Sequence, residues 1–258
     1  MSVRACGLGI DPTGGTHLHN RLEPLEPRTL LSGGALSLAQ VFAGDAAAGD
    51  AFGTSAAAGG SVVVLGSPFD DDAGNLSGSA YVFEPVGADW SQSAKLAPDD
   101  PTAGDQFGFD VDTDGDVIVV GAPRHDGVGI DSGAAYVFVR SGAGWMQLTK
   151  LTADDAAQFD NFGHSVGVSG DVIVIGAMQD DDGGSNSGSA YIFERDDAGT
   201  PDDPTDDMWS QAAKLVASDA SSQARFGQAV AADGDSVVIG APRDGGADVI
   251  GAAYLFSR

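Results

Sequence analysis

The sequence predicts an all-β fold of four repeated units, each of four antiparallel strands. Three observations carry this. The rare residues recur in fixed surroundings: Trp90, Trp145 and Trp209 each lie five residues before Lys95, Lys150 and Lys214, and Tyr81, Tyr136, Tyr191 and Tyr254 all stand in Ala-Tyr-[Val/Ile/Leu]-Phe. A Phe-Gly pair returns at Phe52, Phe107, Phe162 and Phe226, at spacings of 55, 55 and 64 residues. Every unit holds β-branched runs bounded by Gly and no helical period. Fixed-period repetition of four short strands is the pattern of a β-propeller, whose blades bury one another's faces.

Within a unit, the first strand follows Phe-Gly. The second is a continuous apolar run at Val62–Leu65, Val117–Val120, Val172–Ile175 and Val237–Ile239, which predicts burial on both faces. Tight turns such as Ser169-Gly170-Asp171 and Asp233-Gly234-Asp235 join these two as hairpins. The third strand carries Tyr-x-Phe and the fourth carries Trp…Lys-Leu. The last spacing is longer because an acidic insertion, Asp196 to Asp207, precedes Trp209. The fourth unit reaches only its third strand, whereas residues 36–42 stand alone before the first Phe-Gly. Gln40 lies twelve residues before Phe52, as Lys95 lies before Phe107. Residues 36–42 are therefore expected to complete the last blade and close the ring, which removes a sheet edge. Residues 34–258 form the propeller; residues 1–33 are a tail expected to be largely disordered.

Composition narrows the function. The net charge of −26 argues against nucleic acid and anionic lipid as partners. No apolar run approaches the roughly 20 residues that span a bilayer. The single Cys6 excludes an internal disulfide framework and a cysteine-ligated zinc site. No nucleophile elbow, phosphate-binding Gly-Lys-[Ser/Thr] loop or His-Glu-x-x-His is present, so the chain is expected not to be an enzyme.

Two groups of carboxylates are candidate sites. Asp110-Val-Asp-Thr-Asp-Gly115 matches the start of a calcium loop, which makes Asp110, Asp112 and Asp114 the metal candidates and Ca²⁺ the candidate ion. Position twelve is Gly121 instead of Glu, so Asp114-Gly115-Asp116 also reads as a hairpin turn. The second group lies in the loops between second and third strands: Asp70, Asp71, Asp72, Asp126, Asp131, Asp180, Asp181, Asp182, Asp244 and Asp248. Strand alternation puts these loops on the same side as the entry segments that carry Asp45, Asp100, Asp155 and Asp219. That side is the candidate ligand face. The plainer reading is that Asp caps turns there. Each repeated Lys reads as a guard against edge-to-edge pairing, and each Trp as a cover for the blade edge.

The series Phe52-Gly53…Gly66-Ser67-Pro68, Phe107-Gly108…Gly121-Ala122-Pro123, Phe162-Gly163…Gly176-Ala177-Met178 and Phe226-Gly227…Gly240-Ala241-Pro242 resembles the FG-GAP repeat family, which includes the propeller of integrin α-subunits. Integrin-type repeats often carry a calcium loop between the first two strands, and that connection is too short here. Leu25-Glu26-Pro27-Arg28-Thr29-Leu30-Leu31-Ser32 looks like the LEPR-xLL motif of large bacterial surface proteins. Together the resemblances imply a secreted or cell-surface bacterial module for binding or adhesion, with a protein or glycan partner on the loop face. The alternatives are a carbohydrate-active protein, as a calcium-dependent lectin or an enzyme, and a structural piece of a larger surface protein. A monomer is expected, with a two-chain ring as the other possibility.

Overall fold

The computed structural model describes residues 40–142, 144–200, 203–244 and 250–257. Among these there is no helix, and the strands form four antiparallel sheets ordered as in the chain. Blade 1 comprises β1 (Ala56–Gly59), β2 (Val62–Ser67), β3 (Ser79–Val86) and β4 (Asp89–Leu96). Blade 2 comprises β5 (Val111–Thr113), β6 (Val117–Ala122), β7 (Ala134–Ser141) and β8 (Gly144–Leu151). Blade 3 comprises β9 (Phe162–Ser169), β10 (Val172–Ala177), β11 (Ser189–Asp196) and β12 (Met208–Leu215). Blade 4 comprises β13 (Ala229–Asp233), β14 (Ser236–Ala241) and β15 (Ala252–Ser257). This is the predicted four-blade propeller architecture. The N-terminal tail, its LEPR-xLL motif and residues 36–39 of the closing strand lie outside the described residues; residues 40–42 pair with no strand.

The core lies between blades. The back of blade 1 (Val62, Val64, Val82, Leu96) packs on the front of blade 2 (Phe107, Ile118, Val120, Tyr136). The back of blade 2 meets the front of blade 3, and the back of blade 3 meets the front of blade 4, through equivalent residues. Burial of the second strand on both faces holds for β6 and β10, every residue of which is buried. In β14 burial alternates instead, because blade 4 has a described neighbour on one face only.

Phe-Gly has two jobs at each junction. Phe107 sets its ring edge-on to Tyr136 and Phe138, with centroids 5.4 and 5.9 Å away. Phe162 does the same to Tyr191 and Phe193 at 5.4 and 6.0 Å. The following glycine adopts φ +85° at Gly108 and +86° at Gly163, the left-handed region that side chains avoid. Its carbonyl oxygen then presses on the Gly-[Ala/Ser]-[Pro/Met] glycine of the preceding blade. A Cβ on Gly66 would lie 2.0 Å from the Gly108 oxygen, one on Gly121 2.0 Å from that of Gly163, and one on Gly176 1.9 Å from that of Gly227. Gly176→Ala is therefore expected to force blades 3 and 4 apart and cost about 2–3 kcal/mol, read as a lower urea midpoint at unchanged slope.

Candidate functional site

The loops between second and third strands form an acidic rim. In blade 1, antiparallel pairing sets Lys95 of β4 opposite Tyr81 of β3. The Lys95 ammonium lies 2.7 Å from Asp45, 3.1 Å from Asp70 and 2.5 Å from Asp72. Tyr81 donates its hydroxyl to the buried Asp70 at 2.7 Å. Blade 3 repeats the arrangement: Lys214 lies 2.7 Å from Asp155, 2.8 Å from Asp180 and 2.5 Å from Asp182. Tyr191 donates to Asp180 at 2.9 Å. The repeated lysines are thus counter-ions of the rim, not guards of the outer edge.

Burial opposes the Lys95 charge, but its bonds to Asp45, Asp72, Tyr81 and Asp70 outweigh this and hold its pKa above the ordinary lysine value. Asp45 is held below the usual carboxylate range, chiefly by its bond from Lys95. Burial pushes Asp70 up, yet its bonds from Tyr81, the Asp72 amide and Lys95 leave it lowered. The oxygens of Asp45, Asp70 and Asp72, and those of Asp155, Asp180 and Asp182, lie within 4.8 Å of one another and could hold a metal ion. Each ammonium already occupies the point where they converge, so Ca²⁺ would have to displace it. One ammonium among three carboxylates leaves each cluster with a net negative charge.

Blades 2 and 4 vary the theme. His125 takes the position of Asp70 and is buried beside Asp105, with Nδ1 at 3.1 Å. Lys150 pairs with Asp100 at 2.6 Å. In blade 4, Tyr254 reaches both Asp219 and Asp244, at 2.7 and 2.6 Å.

The remaining candidates divide by task. Asp71, Asp126 and Asp181 accept backbone N–H groups within their own loops, from Leu76, Asp131 and Asn186, as turn-capping aspartates do. Asp131 has φ +51° at the loop end. Asp248 lies outside the described residues. Asp110, Asp112 and Asp114 do not converge. They point along one face of β5, and their Oδ2 atoms accept the amides of Val166, Val168 and Gly170 at 2.8, 2.8 and 3.1 Å. The trio stitches the innermost strand of blade 2 to that of blade 3. Burial outweighs these bonds at Asp110 and Asp112 and raises both carboxyls.

Backbone bonds join the rim into a belt. Gly104 and Gln106 donate to Asn75 and Leu76, Phe159 and Asn161 to Ile130 and Asp131, and Gln223 and Arg225 to Ser185 and Asn186. Each loop is thereby tied to the entry of the next blade. An apolar patch that the sequence reading missed sits on this belt. Val128, Ile130 and Phe159 are 72, 55 and 48% exposed. Phe159 has φ +73°, a strained conformation for a bulky residue. The available signal was two β-branched residues in a loop whose counterpart in the third unit, Asp180 to Ser187, carries only Gly and polar residues.

Two outcomes follow. Lys214→Met should lower the melting temperature by several degrees, and millimolar Ca²⁺ should restore part of the loss while leaving the wild type unmoved, read by thermal melts. The second concerns Asp160, whose pKa is pushed up to about 6, chiefly by burial, against the amide of Ala157. A raised folded pKa means stability gained as pH falls through it; the lowered Asp45 and Asp70 mean stability lost once pH falls towards the unfolded carboxylate range. Stability should thus peak near pH 5. Asp160→Asn should flatten the limb between about pH 7 and 5, an effect on the order of 1 kcal/mol.

The model of the FG-GAP repeat matches the chain four times, at residues 37–83, 90–138, 145–193 and 209–256. The first match begins inside the segment that spacing reads as a fourth strand. No curated protein matches. Among solved structures, the chain is similar to the crystal structure of the Saccharomyces cerevisiae Sqt1, at 10% identity and a TM-score of 0.42, covering 75% of this chain and 44% of that one. With four matches in register, spanning each Phe-Gly, each Gly-[Ala/Ser]-[Pro/Met] and each Tyr-x-Phe, the chain belongs to the FG-GAP repeat family.

Proposed function

We propose that this chain is a non-catalytic binding module of a secreted or cell-surface protein, and that its acidic rim holds the partner. The observation that carries the reading is the apolar patch of Val128, Ile130 and Phe159 set among fixed carboxylates. An exposed apolar patch ringed by charge is the make-up of an interaction site. The belt of backbone bonds holds that patch rigidly, which lowers the entropy lost on binding. The uncompensated carboxylates favour a partner with basic groups around an apolar anchor and speed its approach. The lysine ammonium supplies the cation of each cluster, so binding on this reading proceeds without Ca²⁺.

A peptide array of Lys/Arg-rich sequences with and without aromatic residues, run beside a glycan array, tests this. The aromatic basic peptides should bind, with affinity falling at least tenfold in Ile130→Asp and weakening in high salt. Binding confined to glycans, and lost with chelator, would favour the lectin reading instead.

A further inference from the structure

Each junction inside the chain joins the back of one blade to the front of the next, and the two end blades keep unused halves of that junction. On the back of blade 4, Val238 and Leu255 are 39 and 78% exposed, whereas Val174, the counterpart of Val238, is fully buried. On the front of blade 1, Phe52, Val63 and Leu65 are half-buried, whereas Phe107, Ile118 and Val120 of blade 2 are fully buried. Trp90 of blade 1 is 38% exposed, but Trp145 and Trp209 pack into the junctions before their blades.

The glycines sharpen the contrast. Among the described residues, a Cβ on Gly53 would meet nothing within 4 Å, and one on Gly240 only Ala229 of its own blade, at 3.6 Å or beyond. Gly66, Gly121 and Gly176, the counterparts of Gly240, must be glycine because the next blade's Phe-Gly carbonyl touches them. Gly240 has no positive φ and no such neighbour, so nothing among the described residues requires it. A glycine inside a strand destabilises it relative to alanine, because it loses more backbone freedom on folding. A groove of about 250 Å³ beside Phe256, lined by Val172, Ile192, Leu215 and Val237, repeats the surroundings into which Trp209 packs one junction earlier. Beyond β15 no fourth strand follows among the described residues.

We propose that the back of blade 4 docks on the front of blade 1 of a second copy of this chain, so that two chains close one eight-bladed ring. The second copy's Phe52-Gly53 would seat against Gly240. Among the described residues of one chain, the apolar cluster at the front of blade 1 contains no residue of blade 4. Two chains supply about eight blades, the upper end of the common range for propellers, and a third would exceed it. Head-to-tail closure by a two-fold axis uses both faces of both copies and leaves neither open.

Light scattering on the full chain carrying Cys6→Ser, up to about 100 µM, tests the proposal. The expected mass is twice the 25.9 kDa of one chain. Gly240→Ala and Leu255→Asp should each raise the dissociation constant at least tenfold and leave the far-ultraviolet circular dichroism unchanged. Gly240→Ala is the variant that keeps the test sound if Leu255→Asp fails to fold. A single-chain mass throughout overturns the proposal, whether Leu255→Cys then reacts with maleimide, as an open end would, or is protected by closure within one chain. A dimer untouched by Gly240→Ala also overturns it.

Discussion

Backbone pressed on backbone between glycines of neighbouring blades is the constraint that orders the rest. Where Gly163 meets Gly121, no side chain intervenes, so the distance between blades is set by covalent geometry. The surrounding side chains must then fit a gap of fixed width. Val and Ile fill it from the second strands, and Phe and Tyr close it towards the rim. Close packing of this kind tolerates little volume change, which is why the same residue types recur in every unit.

The second constraint is electrostatic. Burying Asp70 and Asp180 at the bases of their loops is costly unless each is bonded and its charge balanced. The fourth strand answers from across the sheet with a lysine, and the third with a tyrosine hydroxyl. Blade 2 meets the same need with His125, Asp105 and Lys150. A net charge of −26 therefore coexists with a well-ordered rim, because the few cations stand where the carboxylates crowd.

Strands were legible in the sequence because Trp, Tyr, Lys and Phe-Gly are rare enough for their register to stand out. The role of Lys95 was less so. It follows from the pairing of Tyr81 with Lys95, which antiparallel alignment of β3 and β4 determines and composition does not. Asp110, Asp112 and Asp114 misled for a physical reason. A calcium loop alternates carboxylates, and so does a strand that sends every second side chain to one face. Here the period of two belongs to β5 and the residues flanking it, and each carboxylate serves a different amide along β9 and the turn that follows. Val128, Ile130 and Phe159 escaped notice because no repeat marks them; their meaning lies in exposure, which only the folded chain reveals.

The belt of loop-to-entry bonds joins each blade only to the next in the chain. Coupling of this kind is that of a one-dimensional array, in which a blade's stability is its own plus that of the junctions it shares. Blades 2 and 3 each share two described junctions, and blades 1 and 4 share one. Within a single chain, amide exchange should accordingly slow from the ends towards β6 and β10, with blade 4, which has the fewest described strands, the first to open. The rim is then stiffest around blades 2 and 3, where Ile130 and Phe159 lie.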